Sequence, residues 1–153
     1  MWKEGGIVIE NIILYTIIGI GLFICTITDL KSKQIYLPVV IADSLLLVGY
    51  HIWQQDMSVK EIIVTVIIIA FFLSLSLLTK EQIGLGDVLM FAMTGIGLGV
   101  LNNIFILMIC FAEIFVFAII LVVFMKKSRN YRIPVAPFLL LSFVIFAAGT
   151  YYG

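Results

Sequence analysis

Charge is scarce in this chain. Of its 153 residues only 12% are charged, and nine basic and nine acidic side chains cancel. A soluble domain carries about twice that charged share, so an ordinary water-exposed surface is excluded. The balanced sum leaves no basic excess for nucleic acid as a partner. Histidine occurs once, as His51, and the two cysteines, Cys25 and Cys110, stand alone in apolar stretches. Without a CxxC pair or ligand spacing these read as small hydrophobes, and neither a metal site nor a cofactor is expected. Internal repeats and low-complexity segments are missing. So is strand-like alternation: the apolar runs are continuous, which excludes a β-barrel. The first run lacks the basic head and small-residue cleavage site of a signal peptide, so it is read as a retained span.

What is abundant is hydrocarbon. The chain is 63% hydrophobic with a mean hydropathy of +1.25, the composition of a membrane protein whose partner is the lipid bilayer. A spanning helix needs about 20 apolar residues, with roughly 17 to 25 tolerated. Six stretches meet or approach that length: 7–28, 37–53, 61–78, 86–101, 104–125 and 134–152. The expected fold is therefore all-α, a polytopic bundle of six transmembrane helices in a single domain over 1–153. The breaks are short and polar, with no room for a second domain.

The loops set the orientation. Lys31 and Lys33 follow the first span, Lys80 the third, and Lys126, Lys127, Arg129 and Arg132 the fifth, leaving Lys3 and Lys60 opposite. Basic loops stay on the cytoplasmic side, so both termini are expected outside the cytoplasm.

Against this background the acids stand out, because a carboxylate within or beside hydrocarbon is costly and asks for a function. Asp87 follows two glycines in Ile83-Gly84-Leu85-Gly86-Asp87, at the mouth of the fourth span, and Asp29 ends the first. The topology brings both to the cytoplasmic membrane surface, with Ile133-Pro134-Val135-Ala136-Pro137. Each acid has a plain alternative: Asp29 as a juxtamembrane charge beside lysines, Asp87 as a helix N-cap. Together they suit acid–base chemistry. Two carboxyls a few ångström apart share a proton, so that one activates water while the other polarises a carbonyl. The glycines are expected to supply unusual backbone angles and close approach of a substrate strand. Gly84-Leu85-Gly86 is no nucleotide loop, having neither a preceding strand nor a following Lys-Ser/Thr.

These residues resemble a known family. Gly84-Leu85-Gly86-Asp87 is similar to the GxGD signature of intramembrane aspartyl proteases, and its surroundings resemble the type IV prepilin peptidases. Thr28-Asp29-Leu30-Lys31 resembles the first catalytic aspartate of that family. Ile83 to Val88, continuing to Gly95-Ile96-Gly97-Leu98-Gly99, resembles the second, and Ile133 to Leu139 the proline-rich opening of the last helix. The resemblance implies an aspartyl endopeptidase with Asp29 and Asp87 catalytic, and with Gly84, Gly86, Pro134 and Pro137 shaping the substrate site. It implies no metal and no covalent intermediate. The substrate would be a prepilin or pseudopilin, a basic cytoplasmic leader followed by an apolar helix, cut at the cytoplasmic face of the cell membrane. Two positions depart from the family pattern. Ile35 is followed by Tyr36, with proline only at Pro38, and Leu89 stands where a lysine is common. The paired-cysteine region linked to methyl transfer in larger relatives is not found, so a peptidase without methyltransferase activity is expected.

Two further acids are candidates for supporting the pair, Asp43 in the second span and Glu113 in the fifth; the plain reading of each is a polar contact between helices. His51, beside Tyr50 and Trp53, is assigned to an interfacial aromatic belt, and Gly95, Gly97 and Gly99 to close helix packing. Two other readings stay open: a presenilin-like or signal-peptide-peptidase-like protease, and a small proton-coupled transporter using Asp29, Asp87 and Glu113.

Overall fold

A computed structural model describes residues 2–54, 59–78, 84–123 and 133–152. Ile83, Lys80, Lys126, Lys127, Arg129 and Arg132 lie outside the described residues, so most of the charges that set the expected orientation do too. The order is α1 (Trp2–Ser32), α2 (Leu37–Gln54), α3 (Val59–Leu78), α4 (Leu85–Leu98), α5 (Val100–Val123) and α6 (Ala136–Tyr152). The described residues contain no strand. Three helices are long and apolar enough to cross a bilayer: Ile12–Ser32, Leu37–Gln54 and Val100–Val123. Ile63–Leu78, Leu85–Leu98 and Ala136–Thr150 are shorter apolar helices.

Helix α4 is the pivot. Its 14 residues reach about 21 Å at 1.5 Å per residue, short of the roughly 30 Å of hydrocarbon. Unlike its neighbours it is buried almost all round, from Asp87 and Val88 through Met90–Gly95 to Gly97. A helix apolar on every side belongs inside a bundle, and α1, α2, α3 and α5 pack around it. Small residues make the approach possible. A Cβ on Gly97 would lie 2.6 Å from Ile18 and 3.2 Å from Leu47, and one on Gly95 would lie 2.7 Å from the Asn103 amide. Both glycines therefore serve packing, as expected. Gly99 does not: no neighbour lies within 4 Å of its Cβ position, and its φ is +77°. It is the left-handed residue that turns α4 into α5. That turn explains why α4 stops at Leu98 and α5 starts at Val100, instead of the expected 101 and 104.

Side-chain pairs fix how the helices run. Phe91 meets Phe72 of α3 and Phe111 of α5 edge-on, at 5.3 and 5.8 Å between ring centroids. Nearer the other end, Gly95 approaches both Thr65 and Asn103, so α3 and α5 run antiparallel to α4. Tyr15 of α1 meets Phe143 of α6 at 5.9 Å and Thr150 at 3.4 Å, while Phe117 of α5 meets Phe138 at 5.2 Å. His51 near the end of α2 reaches the Gly97 carbonyl at 3.3 Å, which makes α2 parallel to α4. One end of the bundle thus gathers the C-termini of α1, α3 and α5 with the N-termini of α2, α4 and α6.

Candidate active site

The end so assembled carries both acids of the sequence reading. Asp29, in the last turn of α1, is 4% exposed, and its Oδ2 accepts the Ala136 N–H at 3.1 Å. Ala136 is the first residue of α6, so Asp29 joins the end of one helix to the start of another more than a hundred residues away. The prolines around that amide explain why it is available. Pro137 has no N–H, and the Phe138 and Leu139 amides both turn back to the Val135 carbonyl at 3.1 Å. Ala136 therefore brings the orphan donor of the first turn to Asp29. Pro134 lies before the helix instead of starting it, and Pro137 sits inside the first turn, where proline is tolerated.

Asp87 is 7% exposed and lies in the first turn of α4. It is not the N-cap that its plain reading suggested. Gly84 holds that place, and Asp87 reaches back from the third helical position to accept the Gly84 N–H at 3.2 Å. Each acid thus accepts a backbone N–H at the opening of a helix, where the helix dipole favours negative charge.

Gly84 and Gly86 do not carry the unusual backbone angles expected of them. Gly84 has φ −62° and ψ 140°, a conformation open to any residue, so unusual backbone angles are not its contribution. Gly86 is filled from within: a Cβ there would lie 2.8 Å from the Cβ of Ile35. Its missing side chain leaves room for the chain's own α1–α2 linker. In the sequence Ile35 marks only the place of a departure from the family pattern. Here it seats the segment that follows Asp29 on the turn that carries Asp87.

The arrangement is that of two buried carboxyls set on helix N-termini at one end of an apolar bundle. The sequence profile of the type IV leader peptidase family matches residues 16–149, which takes in both acids and the Pro134–Pro137 segment. The chain belongs to the type IV leader peptidase family. No curated protein and no solved structure matches the peptidase.

The two further acids of the peptidase point elsewhere. Glu113 pairs across α5 and α6: Ser142 Oγ lies 3.2 Å from Glu113 Oε2 and 2.9 Å from the Phe138 carbonyl. This matches the plain reading of an acid facing another helix. Asp43, 9% exposed, lies against Gly21 of α1. Reasoning from sequence missed a buried polar pair at the opposite end. Thr94 donates to Asn103 Oδ1 at 2.8 Å, and Asn103 Nδ2 donates to the Phe91 carbonyl at 3.1 Å. The signal available was an amide eight residues after Gly95, across a glycine turn. No group of three or more potential metal ligands occurs among the described residues.

Proposed function

We propose that this leader peptidase is an aspartyl endopeptidase of the cell membrane that removes the basic leader from prepilin- or pseudopilin-like precursors. In this reading a single domain over 1–153 crosses the bilayer six times, with both termini outside and the acids at the cytoplasmic face. Asp29 and Asp87 are the catalytic residues. One, ionised, takes a proton from water as the water attacks the scissile carbonyl; the other, protonated, donates to the carbonyl oxygen. The resulting tetrahedral diol collapses as a proton passes to the departing amine. Neither metal nor cofactor takes part.

One observation carries the reading. In a chain poor in charge, two acids from distant helices lie buried at one end of the bundle, each on a helix-opening amide. Burial is costly for a carboxyl unless it is used or firmly paired. Gly84, Gly86, Pro134 and Pro137 shape the site through those amides and through the seat of Ile35. The transporter reading gains no support, because Glu113 is engaged with Ser142 in place of marking a path.

The test is cleavage of such a precursor by the peptidase reconstituted in liposomes, with the new N-terminus read by mass spectrometry. Cleavage is expected at the junction between the basic leader and the apolar segment, and a chelator should leave the rate unchanged. An uncut precursor, or a rate that collapses on metal removal, would refute this function.

A further inference from the structure

Asp43 is a problem that the proposed reaction does not solve. It lies in the second of the long apolar helices, 9% exposed. Its Oδ2 is the one buried side-chain polar atom without a hydrogen-bond partner among the described residues. A polar atom left so in an apolar interior is destabilising and asks for an explanation.

Its surroundings suggest one. Asp43 packs against α1 at Gly21. A Cβ at that position would overlap Oδ2, and would stand 2.7 Å from Cγ and 3.5 Å from the Asp43 Cβ. The carboxyl occupies the space that the missing side chain leaves. On either side stand Ile20 and Leu22, so a rotation or slide of α1 by one residue would drive a branched side chain into Asp43. Gly21, Cys25 and Asp29 follow at intervals of four and share one face of the helix. Cys25, between Gly21 and Asp29 on that face, is fully buried. Asp29 is two turns further on, about 12 Å along the axis. The separation excludes direct contact between Asp43 and Asp29 but leaves them on one rigid rod.

We infer that Asp43 is a positioning residue: seated in the notch at Gly21, its carboxyl sets the height and rotation at which α1 presents Asp29 to the start of α6. The inference rests on the proposed role of Asp29 in cleavage. It explains why glycine stands at position 21, and why Oδ2 of the acid faces backbone in place of a partner. The carboxyl acts here by shape, and Asn has the same shape.

The experiment compares Gly21→Ala, Asp43→Asn and the double variant Gly21→Ala/Asp43→Ala in reconstituted peptidase, with membrane content measured for each. Gly21→Ala should lower kcat by as much as about 10²-fold, the scale of an ångström displacement at a reacting group, with KM little changed. Asp43→Asn should stay within about threefold of wild type, and the double variant should regain most of what Gly21→Ala lost, since the two side chains compete for one space. If Gly21→Ala does not accumulate in membranes, Asp43→Leu meets the same notch and should show the same fall. A wild-type kcat in the notch-filling variant, or an Asp43→Asn as inactive as Asp29→Asn, overturns the inference.

A readout independent of activity separates it from the proposed function. In a Cys25→Ala/Cys110→Ala background, disulfide formation between Asp29→Cys and Ala136→Cys should slow when Gly21→Ala is added and recover with Asp43→Ala. Were wild type unable to cleave the precursor while crosslinking still followed the notch, the proposed function would fall and the seating of α1 by Asp43 would stand. An unchanged crosslinking rate would overturn the positioning role whatever the activity.

Discussion

A carboxyl in an apolar bundle is explained by what accepts or donates beside it, and the acids of this peptidase differ on that point. Asp29 and Asp87 take backbone amides at helix openings, Glu113 takes a hydroxyl, and Oδ2 of Asp43 takes nothing among the described residues. Only the first two hold positions where negative charge is favoured by a helix end. The other buried polar cluster, Thr94 with Asn103, is structural. Asn103→Ala removes two hydrogen bonds, those to Thr94 and to the Phe91 carbonyl, and leaves the Thr94 hydroxyl only the Met90 and Phe91 carbonyls of its own helix, a loss of roughly 1–3 kcal/mol. Thermal unfolding in detergent should register that as a lower midpoint, while cleavage at low temperature persists. A midpoint equal to wild type would show the pair to be idle. Asp29 and Asp87 were legible from sequence because acids are rare here and each sits at a segment boundary. Ala136 and Ile35 were not legible: an amide has no sequence signature, and nothing in one chain says which distant turn an isoleucine will cover.

Helix boundaries were legible to within a few residues wherever hydrocarbon meets polar chain, as at Leu37 and Leu78. They shifted where backbone chemistry decides. Gly99 ends α4 by its left-handed φ, and α6 opens at Ala136 because Val135 collects the first-turn amides. The GxG element needs glycine at its second position for packing. Gly86→Val would force Ile35 off the first turn of α4, since a Cβ alone would already stand 2.8 Å from that side chain. Cleavage should fall at least about tenfold with the protein still in the membrane, in line with a displaced reacting group. Gly86→Ala combined with Ile35→Ala should recover most of the rate. Equal activity in Gly86→Val would mean that the linker plays no part in placing Asp87.

For the whole molecule, antiparallel neighbours bring α1, α4 and α6 to one end, so acids far apart in sequence share a rim. Which side of the membrane that rim faces is a question of charge. Lys33, exposed in the α1–α2 linker, and Lys60, exposed near the start of α3, belong to opposite rims in the proposed topology. Single cysteines at these positions, made without Cys25 and Cys110, should react with an impermeant maleimide from opposite sides. Lys60→Cys is expected to label in intact cells, and Lys33→Cys only after the membrane is opened. Labelling of Lys33→Cys in intact cells would invert the orientation.

The central claim, that Asp29 and Asp87 act as one catalytic pair, is tested most directly by cleavage of a leader-bearing precursor in membranes holding wild type, Asp29→Asn or Asp87→Asn at matched protein levels. Each substitution keeps shape and removes an ionisable group. The expected result is loss of cleavage by at least about 10²-fold in each variant, with membrane content unchanged. Cleavage at the wild-type rate by either variant would contradict the pair.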